Sequence, residues 1–283
     1  MSTIEASLRG ALSGAGDALT LTLDPVFQGL PDTAHGGSVL GLFDVLAGRG
    51  GPRTLRGRYL RRVPLGSPLA LTLMREAHAL RCRVGELGGA SLVEGDIAAA
   101  DPIDADALRD APLGSGSDAG PLPVSLTCFA CGIENPQGLG AQLTADARTV
   151  AGAWTPRPQF RGDDGRLATV ALTTLLDEAA FWLGVLASGE SGMTTELIVT
   201  LHGDAHADAR VHIRGERGTT RARADDPRYW KTRVDAYDER GRPLATAAIT
   251  FVAVRGAARR LVTGMLAMNP PEVVRRAFPA YCA

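Results

Sequence analysis

The sequence predicts an α+β chain built as two tandem copies of one unit, each with a buried central helix and several antiparallel strands. Three observations predict it. The segment FQGLPDTAHGGSVLGLFDVLA, residues 27–47, aligns without a gap on FRGDDGRLATVALTTLLDEAA, residues 160–180. Phe27 falls on Phe160, Gly29 on Gly162, Leu42 on Leu175 and Asp44 on Asp177, at a constant offset of 133 positions. Self-similarity at a fixed offset is the mark of a duplicated unit. The apolar run in each copy is hydrophobic on nearly every side, the pattern of a helix surrounded by protein. After each run come alternating segments bounded by turn residues, the pattern of antiparallel strands.

The length of 283 residues and a hydrophobic content of 45% suffice for two such units, each with its own core. We place the first unit at residues 1–100, a linker at 101–124, the second unit at 125–255 and a helical tail at 256–283. The helix of the first unit is expected over about Ser38–Ala47, and that of the second over about Val170–Ala187. Strand-like stretches include TLRGRYL and LALTLM in the first unit, and TELIVTLH, ARVHIRGE and TRVDAYDERGRPLATAAITFVAV in the second, with DERG as a turn. The linker DPIDADALRDAPLGSGSDAGPLPV is rich in Pro, Gly, Ser and Asp. In the tail, Asn269 is a candidate cap for a helix that begins at Pro270 or Pro271.

Several function classes are disfavoured. The net charge of −1 offers no basic excess for a nucleic acid or a membrane surface. No run of about 18 apolar residues reads as a membrane span. The N-terminus lacks the apolar core of a signal peptide, and four cysteines are few for a secreted disulfide scaffold, so a cytoplasmic protein is expected.

Two features carry candidate chemistry. His35-Gly36-Gly37 sits where a loop enters a helix. Glycines there admit a ligand close to the backbone, and the free N–H groups of the helix start suit a phosphate or a developing oxyanion. A plain turn with a satisfied histidine fits the same residues. Asp44 and Asp177 are carboxylates inside apolar helices, where an unpartnered charge is costly. Gly37 and Asp44 are seven residues apart, roughly 10 Å of helical rise. Groups that act on one carbonyl must come within about 3–3.5 Å of it. If the two helices face each other about a two-fold axis, the start of one meets the middle of the other. Gly37 then pairs with Asp177, and Asp44 faces Ala168-Thr169-Val170, where the histidine and both glycines are gone. One competent site and one relic are expected. Glu178, about 100° around the helix from Asp177, is the poorer candidate carboxylate.

Together, FQGxPxxxHGGxxxxxxD, TLRGRYLRRVPLG and, in the second unit, CFACGIENPQGL from Cys128 resemble the hotdog-fold acyl-CoA thioesterases of the phenylacetate-degradation and 4-hydroxybenzoyl-CoA types. The resemblance implies a long helix wrapped by an antiparallel sheet, with two units paired inside one chain as a pseudo-dimer that is able to associate further. It implies thioester hydrolysis without a cofactor: Gly37 as oxyanion donor, Asp177 as nucleophile or general base, and His35 orienting the loop. It makes Gly36, Gln28, Arg61, Arg62 and Phe181 substrate-binding candidates and Asp44 the relic. Arg58, Arg61 and Arg62 suit either coenzyme A phosphates or a solvated face. Phe181 and Trp182 suit either an acyl pocket or the core. Cys128 and Cys131 read as part of the family's opening turn, since no second CxxC or nearby histidine pair completes a zinc set. His202, His206 and His212 read as surface residues. Two competing functions remain: an acyl-CoA-binding or regulatory protein without catalysis, and a hotdog hydratase, for which no Asp/His dyad is evident in the sequence.

Overall fold

The computed structural model describes residues 2–48, 50–101, 118–162 and 164–282. Most of the expected linker therefore lies outside the described residues. In the first half, a short helix α1 (Ile4–Gly10) that the sequence reading did not anticipate precedes the hairpin β1 (Leu12–Ala15) and β2 (Ala18–Leu21). Then come the helix α2 (Gly36–Ala47) and the strands β3 (Arg53–Tyr59), β4 (Leu69–Arg75), β5 (Ala79–Gly85) and β6 (Ser91–Ala99). The second half holds β7 (Gly120–Pro121), β8 (Thr144–Ala145), β9 (Thr149–Trp154), the helix α3 (Thr169–Ser188), β10 (Gly192–Leu201), β11 (Val211–Glu216), β12 (Arg221–Ala222), β13 (Tyr229–Tyr237) and β14 (Pro243–Ala253). Two helices, α4 (Ala258–Leu266) and α5 (Pro271–Ala277), form the tail.

Among the described residues all strands join one antiparallel sheet, in the order β1-β2-β4-β5-β6-β3-β10-β14-β13-β11-β9-β8-β7, with β12 against β13. The halves meet where β3 pairs with β10, with Leu55 opposite Val199. Leu55, Leu197 and Val199 are buried at that seam. Arg56 and Glu196 close its solvent side with a 3.0 Å hydrogen bond from Arg56 Nε to Glu196 Oε1. The sheet curls around α2 and α3, and α3 lies on β10, β11, β13 and β14.

The helix α3 corrects one expectation. It has 20 residues and a mean hydropathy of 1.5, long and apolar enough to cross a membrane. The sheet covers it: 83% of that window is buried inside the fold. Burying each of its leucines and valines stabilises the fold by about 1.5–3 kcal/mol. Both helices end on a left-handed glycine, Gly48 and Gly189, whose N–H groups bond to Asp44 and Val185 carbonyls. That conformation favours glycine, which has no Cβ to clash.

The two helices cross at their N-terminal ends, and small residues set how closely. A Cβ on Gly37 would stand 2.5 Å from the Thr173 carbonyl oxygen and from Thr174 Cα. A Cβ on Gly41 would stand 2.7 Å from Val170. These two contacts are related by the 133-residue repeat, since Gly37 corresponds to Val170 and Gly41 to Thr174. In the first copy the glycine is at the helix start. In the second the start carries valine, and the glycine that receives it is in the middle of α2.

Asn269 does not cap α5. Its amide spans the start of the second half to the tail instead, accepting from Val124 N at 2.9 Å and donating to the Val124 and Met265 carbonyls at 2.9 Å each. Pro270 precedes α5 without a side-chain cap. His202 is not a plain surface residue: it is half-buried, with Nε2 2.9 Å from Thr246 Oγ1.

The helix crossing makes a direct prediction. Gly41→Ala forces α2 and α3 apart and should destabilise the protein by about 1–3 kcal/mol, read as a lower urea midpoint with an unchanged slope. An unchanged midpoint would refute the close crossing.

Candidate active site

The start of α2 is shaped by what crosses it. The segment from Gln28 to Ala34 closes a loop through a bridge between those two residues, and the His35 N–H donates to the Phe27 carbonyl at 2.8 Å. His35 occupies the position before the helix, so the helix begins at Gly36, two residues earlier than the apolar pattern predicts. Each glycine of the motif then has its own reason. A Cβ on Gly36 would lie 2.8 Å from Asp177 Oδ2, and Gly37 has α3 backbone against it. The motif lets a carboxylate and a helix approach the same turn of backbone.

The Gly36–Gly37 peptide is gripped at both ends. Tyr59, at the end of β3, donates its hydroxyl to the Gly36 carbonyl at 2.6 Å. The Gly37 N–H donates to Asp177 Oδ2 at 2.9 Å. The first bond polarises the peptide and strengthens the second. The other oxygen of Asp177, Oδ1, accepts from the Thr194 hydroxyl at 2.6 Å. Thr194 and Tyr59 carry no signal in the sequence, because a lone hydroxyl on a strand has no pattern to betray it.

His35 lies between two carboxylates. Its Nδ1 is 3.3 Å from Asp177 Oδ2, and its Nε2 is 3.5 Å from Glu178 Oε2. Glu178 is held in turn by the Trp182 indole N–H, which donates to Oε1 at 2.9 Å. Two expectations are thereby corrected. Glu178 does enter the site, because an imidazole ring is wide enough to bridge side chains about 100° apart on one helix. An Asp/His dyad is present, assembled from two halves of the chain and so invisible in either alone. Burial opposes a charged His35, but the hydrogen bond to Glu178 and the charges of Asp177 and Glu178 outweigh it and push its pKa up to about 9. The Gly37 N–H also reaches His35 Nδ1 at 3.2 Å, so this one donor is shared between the imidazole and the Asp177 carboxylate. Burial pushes Asp177 above the usual carboxylate range, against the opposing pull of His35, Thr194 and the Gly37 N–H.

The turn bearing Cys128 and Cys131 forms the neighbouring wall. The Phe129 N–H donates to the Gln28 carbonyl at 2.6 Å, and Asn135 donates to the Val26 carbonyl at 2.7 Å, so this segment of the second half is sewn onto the loop of the first. Gln28 joins the seam, donating from Nε2 to Thr127 Oγ1 at 2.7 Å and accepting from Asp32 N at 3.2 Å. Hydrogen bonding from Cys131 holds the Cys128 thiol below its usual range, and Cys131 itself is pushed well above it.

These groups line a cavity of about 220 Å³ that opens to solvent. Asp177, Glu178, His35, Gly36, Cys128 and Cys131 all contribute to it. Phe181, Trp182, Met193, Leu261, Met265 and Met268 supply apolar walls, three of them from the tail. Gln28, Arg61 and Arg62 also line it, joined by Arg260 of α4, whereas Arg58 does not. Phe181 is half-buried against Trp182 and Phe251, at centroid distances of 5.3 and 5.8 Å.

The related position in the other copy is filled. Asp44 accepts two bonds from Arg53, 2.6 Å from Nε and 2.7 Å from Nη2. Arg53 Nη2 also donates to Thr169 Oγ1 at 2.9 Å, and Nη1 lies 3.4 Å from Asp204. An arginine therefore fills the space between Asp44 and the Ala168-Thr169-Val170 turn. Both members of the pair are buried.

No family model and no curated protein matches the sequence. Solved structures do match it in shape. An acyl-CoA thioesterase II from Mycobacterium marinum superposes with a TM-score of 0.56 at 13% identity, over 88% of this chain and 98% of that one. A protein of unknown function with a hot dog fold from Alicyclobacillus acidocaldarius gives 0.54 at 11% identity, over 86% and 96%. A bifunctional dehydratase-cyclase domain of ambruticin biosynthesis gives 0.53 at 17% identity, over 90% and 99%. At these identities the likeness is one of fold: the chain has the α+β hotdog fold.

Removing one partner of a buried ion pair leaves the other uncompensated and costs about 3–5 kcal/mol. Asp44→Ala should lower stability by that amount in urea unfolding. A loss below about 1 kcal/mol would show that Arg53 is not held by Asp44.

Proposed function

We propose that this hotdog-fold chain is an acyl-CoA thioesterase in which two hotdog units, residues 1–100 and 125–255, pair within one chain and share one working site. The observation that carries the reading is the 2.9 Å bond from the Gly37 N–H to Asp177 Oδ2, where Asp177 lines a cavity with an apolar wall and arginines along it. An amide donor and a carboxylate in contact are the two groups that acyl transfer needs. The thioester oxygen would take the Gly37 N–H as charge develops on it, with Tyr59 holding the peptide. Asp177, displaced from that amide but still held by Thr194, would attack the carbonyl carbon or take a proton from water. His35 would position Asp177 through Nδ1. The name of the Mycobacterium marinum neighbour supports this substrate class.

The cavity volume of about 220 Å³ is smaller than the roughly 300–1,000 Å³ of sites that enclose a drug-sized ligand. It would take the acyl end, while the coenzyme lies outside within reach of Arg61, Arg62 and Arg260. Phe181 would contact the acyl group. Gln28 would act mainly by fixing the loop. The reading includes a reducing cytoplasm, in which Cys128 and Cys131 persist as thiols.

One observation favours a second reading, a hotdog hydratase or dehydratase: the His35–Asp177 dyad at 3.3 Å. Dehydratase domains are among the structural neighbours.

Thiol release from a panel of aliphatic and aromatic acyl-CoAs tests the proposal. The expected result is turnover of at least one of them. Loss of 2-enoyl-CoA absorbance without thiol release would replace hydrolysis by hydration. Binding without turnover on any substrate would leave a binding protein.

A further inference from the structure

The mechanism above uses Asp177 and one nitrogen of His35. It leaves His35 Nε2, Cys128 and Glu178 unexplained. These three buried side chains offer one nitrogen, one sulfur and one oxygen, all within 4.8 Å of one another. They come from three places in the chain: the start of α2, the CxxC turn and the middle of α3. The sequence therefore could not show them as a set.

Each donor is already oriented by a second group. His35 Nδ1 has Asp177 behind it at 3.3 Å. Metal-bound histidines take such a carboxylate on their other nitrogen, which fixes the tautomer and raises the basicity of the ligand. Glu178 has one oxygen tied to Trp182, which leaves Oε2 facing His35. Cys128 Sγ accepts the Ala130 N–H at 3.3 Å, a bond that favours thiolate over thiol. Gly132 makes this turn possible: its N–H donates to the Cys128 carbonyl at 2.8 Å, and a Cβ there would stand 2.2 Å from that oxygen.

We propose that His35 Nε2, Cys128 Sγ and the Glu178 carboxylate bind a zinc-class divalent cation, with its fourth coordination position open to the cavity. The site shares His35 and the cavity with the thioesterase reading but does not rest on it. Zinc bonds of about 2.0–2.3 Å put tetrahedral donors roughly 3.3–3.7 Å apart. The His35–Glu178 pair is already at 3.5 Å, and the thiolate, within 4.8 Å of both, needs to close by no more than about 1–1.5 Å. The charges balance, because one thiolate and one carboxylate neutralise the dication. On binding, the Nε2 proton and the thiol proton leave to solvent, and the imidazole keeps one proton on Nδ1, which then faces Asp177 3.3 Å away instead of accepting the Gly37 N–H. Three protein ligands and one open position are the coordination of catalytic rather than structural zinc. Cys131 lies beside the ligands in the wall of the same cavity.

The test is a Co²⁺ titration of the full-length protein, stripped of metal by chelator dialysis under reducing conditions, with Zn²⁺ then displacing Co²⁺. The expected result is one Co²⁺ per chain with a thiolate-to-cobalt charge-transfer band, lost in Cys128→Ser. Cys131→Ser and Cys82→Ser should keep the band. Asp177→Asn and Trp182→Phe should keep it while weakening affinity about 10–100-fold. Circular dichroism checks that each variant folds, and Glu178→Gln replaces Cys128→Ser should that variant fail, with loss of tight binding expected. No stoichiometric binding to the wild type, a band that survives Cys128→Ser, tight binding retained by Glu178→Gln, or a band that halves in Cys131→Ser would overturn the assignment.

Discussion

The candidate site depends on how closely two helices cross. Gly37 has no room for a Cβ against Thr173 and Thr174, so the start of α2 lies directly on the second turn of α3. Only at that separation does an amide N–H of one half reach a carboxylate of the other. The β3–β10 pairing fixes the relative placement of the halves, and the burial of both helices beneath one sheet holds it. Interiors packed to crystalline density do not absorb an added methyl group there without movement.

The same crossing occurs twice, with different outcomes. Where the first copy has glycine at the helix start, the second has Val170, and Gly41 makes the space for it. The crossing survives, but the amide is shielded and no histidine stands beside it. Arg53 then fills the gap and pairs with Asp44. Two carboxylates 133 positions apart thus have different surroundings: Asp177 lines a cavity, and Asp44 is buried in an ion pair with Arg53.

Much of this was legible in the sequence. The repeat, the two apolar helices and helix rise together placed Gly37 opposite Asp177 rather than Asp44. What remained hidden depends on contacts between the halves. Thr194, Tyr59 and Arg53 sit on strands whose alternation says which face a residue occupies, but not which helix residue lies over it. Glu178 was set aside on helix geometry alone, and the histidine ring that bridges it to Asp177 comes from more than 140 positions away. The tail's contribution to the cavity was equally hidden, because its amphipathic pattern shows that it packs but not against what.

The central claim is that the two aspartates at equivalent repeat positions have different jobs. The most direct measurement compares thiol release by Asp177→Asn and Asp44→Asn on the best acyl-CoA substrate, normalised to folded protein. The account predicts that Asp177→Asn lowers kcat by about 10²–10⁴-fold, whereas Asp44→Asn leaves kcat close to wild type and loses stability instead. Full activity in Asp177→Asn with activity abolished in Asp44→Asn would contradict it.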